Sequence, residues 1–409
     1  MIETLFSSAV FTSRGIIPNA VIKVDQGRVI AVEPFEKSTK GSFTLERENL
    51  ITLPGFIDAH VHLDEPGRTH WEGISSGTTK AILGGVTTVL DMPIDAYPPT
   101  ISEEDVYEKI KLFSSKSLTN YGIFAGAVPN RLSEMKGAWR AGAVAFKGFL
   151  SPSGWDDFPQ LDDTSLLEAM HIAKELGSTL ALHAEDPSCF KYGSSGVERT
   201  PESELSAVQK AIDASAAIGT SIHLVHLSTS LAIERATKIA TVTTETCPHY
   251  FLDDQLLKEF GWYGIHVEPP VRDAAERSLL RELVQHKIPN VIASDHSPPP
   301  PPNEESVEGW AGTEGLGKTV LSLLKQYNDP SLVARYVKQS ARAFSIKNRG
   351  EISPGNYADL ITLENPKPGT WRVVDVIIKG TVIVEDGSIV NRSEVDNVAL
   401  ANEYPTTHR

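Results

Sequence analysis

Cysteine is scarce in this chain, which has only Cys189 and Cys247 among its 409 residues. The two lie far apart and neither belongs to a CxxC pair, so the sequence predicts neither a disulfide framework nor a thiolate zinc site. Such sparse cysteine is typical of a reducing compartment, and we expect a cytoplasmic protein.

Long hydrophobic runs are absent as well, and the N-terminus lacks a basic region followed by an apolar stretch. The sequence therefore predicts neither a membrane span nor a secretory signal. Positive charge is also in short supply, because 38 Lys and Arg face 53 Asp and Glu, for a net charge of -15. Binding to a nucleic-acid backbone needs clustered Lys and Arg, so a small-molecule partner is the better prediction.

The distribution of apolar residues predicts two structural regions. Short apolar runs broken by turn residues occupy the first 52 residues and return near the C-terminus, as hairpin strands do. We therefore predict a small β-sandwich module formed by residues 1–52 plus 350–405. Between them, residues 53–349 alternate strand-like runs with helical patterns, which is typical of repeated βα units.

This central region contains eight candidate strands, so the sequence predicts a TIM-like (β/α)8 barrel. The candidate strands are residues 55–62, 86–91, 121–127, 143–149, 179–183, 221–226, 241–246 and 290–295. Helical patterns lie between several of them, and Gly177 and Gly219 are predicted to end two of the helices.

Histidine and aspartate mark the ends of four candidate strands. His60 and His62 lie two apart, so strand periodicity points both imidazoles to the same side. By itself that pair is equally well interpreted as two polar residues at a strand end. His183, His226 and Asp295 end three further strands, however, and barrel active sites lie at this rim. Imidazole and carboxylate ligands suit a divalent ion, with zinc as the default and manganese, cobalt, nickel or iron as alternatives.

Some other polar residues allow two interpretations. Lys147 interrupts an apolar strand, where an unpaired ammonium is costly, yet it would be tolerated if it reached solvent or paired with an acid. Glu185 or Asp186 could orient the His183 imidazole, but a solvated loop acid is the favoured interpretation of either residue. His223 lies on the opposite strand face from His226 and is expected to pack against a helix.

Several motifs resemble those of the cyclic amidohydrolases, a group that includes allantoinases, hydantoinases and dihydroorotases. The likeness covers nearly the whole chain and is closest to allantoinases. The motifs are DAHVHLDEPGRT at 58–69, EPGRTHWEG at 65–73, DMP at 91–93, PSG at 152–154, ETCPHYF at 245–251, PPVRD at 269–273 and SDHSP at 294–298.

The resemblance implies a site for two divalent metal ions. It assigns His60, His62 and Asp295 to one ion, His183 and His226 to the other, and an N6-carboxylated Lys147 to both. Water held between two such ions ionises near neutral pH, and the hydroxide attacks the ring carbonyl. Asp295 takes a proton from the nucleophile and returns it to the leaving nitrogen. The resemblance also implies a homo-oligomer.

Residues expected near the substrate depart from the family pattern. Asp64 stands where dihydroorotases usually carry an arginine that pairs a substrate carboxylate, which argues against an acidic ring. Asp95 and Glu268 lie where allantoinases typically show Leu-Asn-Ser and Cys-Ala segments. We predict that these three acids make the pocket rich in acceptors and favour a neutral or cationic ring with N–H donors, such as a ureido group. Ser153, which also suits a simple turn, and Ser297 are the other expected substrate contacts.

The function predicted from these features is hydrolysis of a cyclic amide, with allantoin opened to allantoate as the first hypothesis. A hydantoinase, dihydropyrimidinase or dihydroorotase acting on another ring is the second. The third is a barrel that serves only as a scaffold. Six candidate ligands at one rim argue against the scaffold, because barrel packing does not require histidines there.

Overall fold

The computed structural model describes residues 1–12, 14–35, 43–193, 196–301 and 312–400. Strands in these ranges are β1 Thr4–Thr12, β2 Gly15–Asp25, β3 Arg28–Pro34, β4 Leu45–Pro54, β5 Phe56–Val61, β6 Val86–Asp91, β7 Asn120–Gly126, β8 Ala145–Phe149, β9 Leu180–His183, β10 Lys191–Gly193, β11 Gly196–Glu198, β12 Ile222–Leu224, β13 Val242–Thr246, β14 Val291–Ile292, β15 Leu360–Glu364, β16 Arg372–Ile378, β17 Thr381–Glu385 and β18 Ser388–Ile389.

The α-helices of the same ranges are α1 Ile74–Leu83, α2 Glu103–Lys116, α3 Met135–Ala141, α4 Asp163–Leu176, α5 Pro201–Ile218, α6 Ser230–Ala236, α7 Pro248–Phe251, α8 Asp254–Phe260, α9 Ala274–Gln285, α10 Thr319–Tyr327 and α11 Pro330–Ala343. Short 3-10 helices cover Leu132–Glu134 and Pro187–Cys189.

Eight of the strands form the barrel, and each pairs in parallel with its neighbour in the order β5, β6, β7, β8, β9, β12, β13, β14. The ring is brought close to closure by a parallel bridge between Val61 and His296, where the His62 amide donates to the His296 carbonyl at 2.7 Å. This confirms the predicted TIM-like (β/α)8 barrel. A small hairpin of β10 and β11 follows the fifth barrel strand.

All eight predicted barrel strands are present, but β5 and β7 end one residue early, and two others end two or three residues early. We predicted strands up to His226 and Asp295, whereas β12 ends at Leu224 and β14 at Ile292. Both His226 and Asp295 have positive φ angles, 38° and 49°, which interrupt an extended backbone. The two side chains therefore stand on turns just beyond the strands.

The predicted helix ends after two of the strands are confirmed. Helix α4 begins after Asp162, whose side chain accepts from the Ser165 amide, and ends at Gly177 with φ 65°. Helix α5 ends at Gly219 with φ 76°. A residue without a β-carbon adopts this left-handed conformation without strain, so each glycine terminates its helix cleanly.

Strands from both chain ends form one eight-stranded sheet, in the order β18, β17, β16, β15, β4, β1, β2, β3. Only β1 and β4 pair in parallel within it. One part of this sheet encloses a small core that includes Leu5, Ile22 and Leu360. Leu363 and Val373, in contrast, belong to the large core of the barrel. The chain ends thus form the separate β module predicted from the sequence, whereas the predicted domain boundaries stay a prediction.

Within the ranges that the structure describes, no helix has the length and apolar character needed to cross a membrane.

Candidate active site

The residues predicted at the barrel rim surround one cavity with a volume of about 530 Å³. It opens at the carboxyl ends of the barrel strands, where the loops can vary without disturbing the barrel core. Among its lining residues are His60, His62, Asp95, Lys147, Ser153, Trp155, His183, Arg199, His226, Glu268, Asp295 and Ser297. Folding therefore brings together all six candidate metal ligands.

Three of these ligands form a compact group. One ligand atom from each of His60, His62 and Asp295 lies within 4.8 Å of the others. The His60 Nε2 atom is 3.2 Å from Asp295 Oδ1, and the Nε2 atoms of His60 and His62 are 3.3 Å apart. Such an arrangement of two imidazoles and one carboxylate can hold a divalent cation.

His183 and His226 form a second pair beside the first group. Nδ1 of His183 lies 3.0 Å from Nε2 of His226, and the His226 ring lies 5.4 Å from the His60 ring. Lys147 is fully buried, and its Nζ atom has no hydrogen-bond partner among the described residues. Its nearest ring contact is Phe149, at 4.9 Å from the centroid.

Carboxylates behind the histidines fix the orientation of three imidazole rings. Nδ1 of His60 lies 2.8 Å from Glu245 Oε1, and Nδ1 of His62 lies 2.8 Å from Asp95 Oδ2. Nε2 of His183 lies 2.8 Å from Glu185 Oε2. Glu185 is buried, so it orients the imidazole and is not the solvated loop acid that the sequence favoured. When one ring nitrogen donates to a carboxylate, the other nitrogen is left with a lone pair for a metal.

Burial sets the charge of most of these imidazoles. It lowers the pKa of His60 and holds the pKa values of His183 and His226 well below the ordinary value. His62 differs, because Asp95 and Asp295 outweigh its burial and raise its pKa to about 10. The neutral imidazole is the form that binds a metal, so three of the four histidines are already in that form.

Lys147 and Asp295, which lie among the histidines, both have pKa values below those of the same residues on a protein surface. Burial lowers the pKa of Lys147 to about 8. Burial would raise the pKa of Asp295, but His60 and His62 outweigh it and hold that pKa well below its usual range. Asp295 is therefore ionised, and a minor fraction of Lys147 is an uncharged amine near neutral pH.

Four of the five predicted substrate contacts line the cavity, and three of them already bind other residues of the chain. Asp95 accepts from Trp155 Nε1 at 2.8 Å, and the Ser153 hydroxyl donates to the Phe158 carbonyl at 2.7 Å. Glu268 pairs with Arg199, and Ser297 lies at the wall. The Ser153 hydroxyl thus serves its own turn, as the alternative interpretation held.

Asp64, the fifth predicted contact, is not among the residues that line the cavity. Its carboxyl group is buried, and neither oxygen has a hydrogen-bond partner among the described residues. Burial, together with the charge of Asp95, raises its pKa to about 9, so it is protonated at neutral pH. Asp64 thus differs from the exposed acceptor that its sequence position suggested.

Several residues of the site were overlooked in the sequence. Glu245 contacts both His60 and His223, and although burial would raise its pKa, the interactions with these two imidazoles hold that pKa below the ordinary value. Glu245 lies between two threonines of β13, so no break in an apolar run singled it out as Lys147 was singled out. Arg199 lies in a loop and follows no periodicity, so no sequence signal distinguished it.

His223 was expected to pack against a helix and does so only in part. Its ring lies edge-on to Phe344, directly after α11, at a centroid distance of 4.9 Å. Nε2 of the same ring lies 3.2 Å from Glu245 Oε2. His223 is therefore a polar support for the carboxylate that orients His60.

A second group able to hold a cation shares Asp295 with the first. Ligand atoms of Cys247, His249 and Asp295 lie within 4.8 Å of one another. Both nitrogens of the buried His249 ring lack a hydrogen-bond partner among the described residues, and burial lowers its pKa to about 4.

Comparison with known sequences gives consistent relatives. Residues 51–383 match the model of the amidohydrolase family. An allantoinase of Deinococcus radiodurans is 35% identical over 84% of this chain and 83% of its own length. Allantoinases of Rubrobacter xylanophilus and Saccharomyces cerevisiae are each 31% identical, the first over 92% of this chain and 93% of its own, the second over 90% and 86%.

Solved structures resemble the whole fold. The L-hydantoinase (dihydropyrimidinase) of Arthrobacter aurescens superposes with a TM-score of 0.84, with 22% identity over 96% of this chain and 98% of the other. A D-hydantoinase superposes with a TM-score of 0.79 and 21% identity, over 96% of this chain and 97% of its own. At this level of identity, the likeness shows a common fold.

Proposed function

The chain belongs to the amidohydrolase family, and we propose that it hydrolyses the ring of allantoin to give allantoate. The family match and the relatives confirm the resemblance found in the sequence. The observation that carries the proposal is the convergence of six candidate ligands on one cavity, with His60, His62 and Asp295 already within 4.8 Å. The relatives named allantoinases supply the choice of ring.

We propose that this cavity holds two divalent ions. His60, His62 and Asp295 would bind one ion, His183 and His226 the other, and a carboxylated Lys147 would bind both. The buried Lys147 Nζ without a partner fits this proposal, since a buried polar atom with no internal partner indicates an external group. The ligand set contains imidazoles and carboxylates and no thiolate, which favours zinc, with manganese, cobalt, nickel or iron as alternatives.

Carboxylation of Lys147 is consistent with its surroundings. Its pKa of about 8 leaves part of the amine uncharged, and only the uncharged amine adds to carbon dioxide. The new N–C bond forms as an N–H proton is released, which gives a carbamate with two oxygen ligands. The modification would replace an unpaired buried ammonium with an anion that faces cations.

The ions would supply a water molecule of lowered pKa and would polarise the scissile carbonyl group. Asp295 is ionised and lines the cavity, so it can accept a proton from the attacking water. The same carboxylic acid would then donate that proton to the ring nitrogen as the amide bond breaks. Glu245, Asp95 and Glu185 hold the imidazoles in fixed orientations while this happens.

The proposal is tested by assaying the metal-loaded chain with allantoin, hydantoin, dihydrouracil and dihydroorotate. We expect the largest kcat/KM for allantoin and about two metal ions per chain. A preference for hydantoin or dihydrouracil would replace the substrate but keep the reaction. A preference for dihydroorotate, which is acidic, would contradict the prediction that the pocket favours a neutral or cationic ring. A chain without metal after metal-supplemented expression would support the scaffold hypothesis instead.

Assembly as a homo-oligomer and a cytoplasmic location also stay predictions. The mass of the purified chain by light scattering tests the first, and fractionation of cells tests the second.

A further inference from the structure

One wall of the cavity carries a cation and an anion side by side. Arg199 and Glu268 both line the cavity, and Nη2 of Arg199 donates to Oε2 of Glu268. Their side chains are 12% and 33% exposed, so both are accessible from the cavity while remaining largely enclosed. Arg199 therefore adds hydrogen-bond donors to a wall for which the sequence predicted only acceptors.

Contacts from behind hold this pair in place. Nη1 of Arg199 donates to Glu185 Oε2 at 2.6 Å, and Nη1 of Arg272 donates to the Arg199 carbonyl at 2.6 Å. The residue after Glu268 is anchored as well, because the Tyr250 hydroxyl donates to the Pro269 carbonyl at 2.6 Å. A wall that is fixed before the ligand arrives loses little conformational entropy on binding.

The pair retains hydrogen-bonding capacity. An arginine has five N–H donors, and a carboxylate has two acceptor oxygens. Among the described residues, the Arg199 side chain donates only to Glu185 and Glu268, and Oε1 of Glu268 has no hydrogen bond. Donors and an acceptor thus remain next to each other at the cavity wall.

We propose that Arg199 and Glu268 form a subsite that binds a ureido substituent of the ring, an inference that rests on the proposed function. Glu268 accepts from the N–H groups of the substituent, and Arg199 donates to its carbonyl oxygen. A ureido group is neutral and carries both kinds of polar atom. An anionic substituent at Arg199 would also face Glu268, and a cationic one at Glu268 would also face Arg199. A neutral group uses both residues without a like-charge contact, so the pair favours it.

The test compares allantoin with hydantoin, which has the same ring but no ureido group. We expect Glu268→Ala to lower kcat/KM for allantoin by about tenfold to a hundredfold, since hydrogen bonds to a charged group are worth about 1.5–3 kcal/mol. Hydantoin should change by no more than about twofold. Glu268→Gln, which keeps one acceptor oxygen, should fall between the wild type and the alanine variant.

Glu198→Gln is the matched control, because this substitution removes a carboxylate close to the subsite in sequence. Glu198 is 66% exposed, pairs with Lys191 and does not line this cavity. Both substrates should be unaffected by it. If Glu268→Ala lowered kcat/KM equally for allantoin and hydantoin, the subsite would be overturned while the proposed reaction stayed intact.

Binding is measured separately by calorimetry in the Asp295→Asn chain. Because Asp295 is also a proposed metal ligand, elemental analysis first establishes that this chain holds as much metal as the wild type. Tighter binding of allantoin than of hydantoin, lost in the Glu268→Ala combination, would support the subsite even if the wild type hydrolysed neither ring. Failure of allantoin to bind, or binding that does not depend on Glu268, would overturn it. The proposed function fails instead if the wild type binds these rings without opening them.

Discussion

Two buried polar clusters in this molecule differ in how their charges are compensated. The rim cluster consists of His60, His62, Lys147, His183, His226 and Asp295. The junction cluster, between the barrel and the sheet of chain ends, consists of Asn120, Arg349, Asp359, Lys379 and Asp396.

The junction cluster is paired internally. Arg349 donates to Asp359 and Asp396 at 2.8 Å each, and Lys379 donates to Asp396 at 2.5 Å. Asn120 adds a hydrogen bond to Asp359 at 3.1 Å. Although Nη1 of Arg349 has no partner among the described residues, each charged group faces an opposite charge. Such a cluster joins parts of the chain that are distant in sequence.

The rim cluster, in contrast, is paired only in part. Pairs of imidazole nitrogens lie 3.0 Å and 3.3 Å apart, and the Lys147 Nζ atom has no hydrogen-bond partner among the described residues. Buried polar atoms normally have a partner, so the rim cluster retains atoms that could bind an additional group. The junction cluster, in contrast, is satisfied largely within the chain.

The largest effect that would sharpen this contrast is expected from Asp295→Asn. Loss of the proton acceptor, which is also a proposed metal ligand, should lower kcat for the ring substrate by at least about 1,000-fold. Asparagine tolerates the left-handed backbone found here, with φ 49°, so the chain should still fold. Steady-state kinetics measure the loss.

Asp163→Asn is the matched control for that variant, because this carboxylate is 79% exposed on α4 and should not affect turnover. Retained activity in Asp295→Asn would refute the role of Asp295 in proton transfer.

Lys147→Arg should give the next largest effect. Arginine keeps the positive charge but cannot form a carbamate, so we expect metal content to fall and activity to drop by about 100-fold. Elemental analysis of the purified chain measures the metal, and intact mass shows whether the wild-type lysine carries an added carbon dioxide. Two bound ions in the arginine variant would contradict the proposed bridge. Lys136→Ala, an exposed lysine paired with Glu175, should change neither quantity.

Arg349→Ala tests the junction cluster. Removal of the guanidinium leaves Asp359 buried without its main partner, and we expect the free energy of unfolding to fall by about 3–5 kcal/mol. Urea unfolding measures the change, and the metal content of the folded fraction should stay the same. Arg372→Ala is the control, because Arg372 is 51% exposed and its loss breaks only an ion pair with Glu364. The free energy of unfolding should fall by at most about 1 kcal/mol. Equal losses of unfolding free energy in Arg349→Ala and Arg372→Ala would show that the junction cluster stabilises the fold no more than an exposed ion pair.

Asp396→Asn should give the smallest effect and a dependence on pH. Burial would raise the pKa of Asp396, but Lys379 and Arg349 outweigh burial and lower this pKa below its ordinary value. A lowered folded-state pKa stabilises the fold above the unfolded pKa of about 4, and this stability is lost as the pH falls through the folded value. We expect the variant to lose about 1 kcal/mol at pH 7.

Urea unfolding of the wild type and Asp396→Asn across this pH range provides the measurement. The difference between the two chains should shrink as the pH falls below about 4. A difference that stays constant with pH would show that the charge of Asp396 contributes nothing.

Local patterns predicted much of the fold and part of the site. Alternating apolar runs identified all eight barrel strands, and turn glycines such as Gly177 marked helix ends, because these signals depend on neighbouring residues. The same periodicity placed His60 and His62 on one side of a strand. It failed at His226 and Asp295, where a positive φ ends the strand early.

Partners far apart in the chain were beyond such patterns. Glu245 orients His60 across 185 residues, and Arg199 reaches Glu268 across 69. Asp64 was expected at the cavity wall, yet its carboxyl group is buried and protonated. Neither pairing nor burial is encoded in local periodicity, since both depend on which strands and loops meet when the barrel closes.

The sequence by itself determined the barrel, the order of its strands and the set of imidazoles and carboxylates at its rim. It also identified the family resemblance and hence the kind of bond proposed to break. Only the tertiary structure decided which ring nitrogens face each other, which acids orient them and that Arg199 shares a wall with Glu268. The physical reason is that strand propensity acts along the chain, whereas charge, pKa and hydrogen bonding act through space.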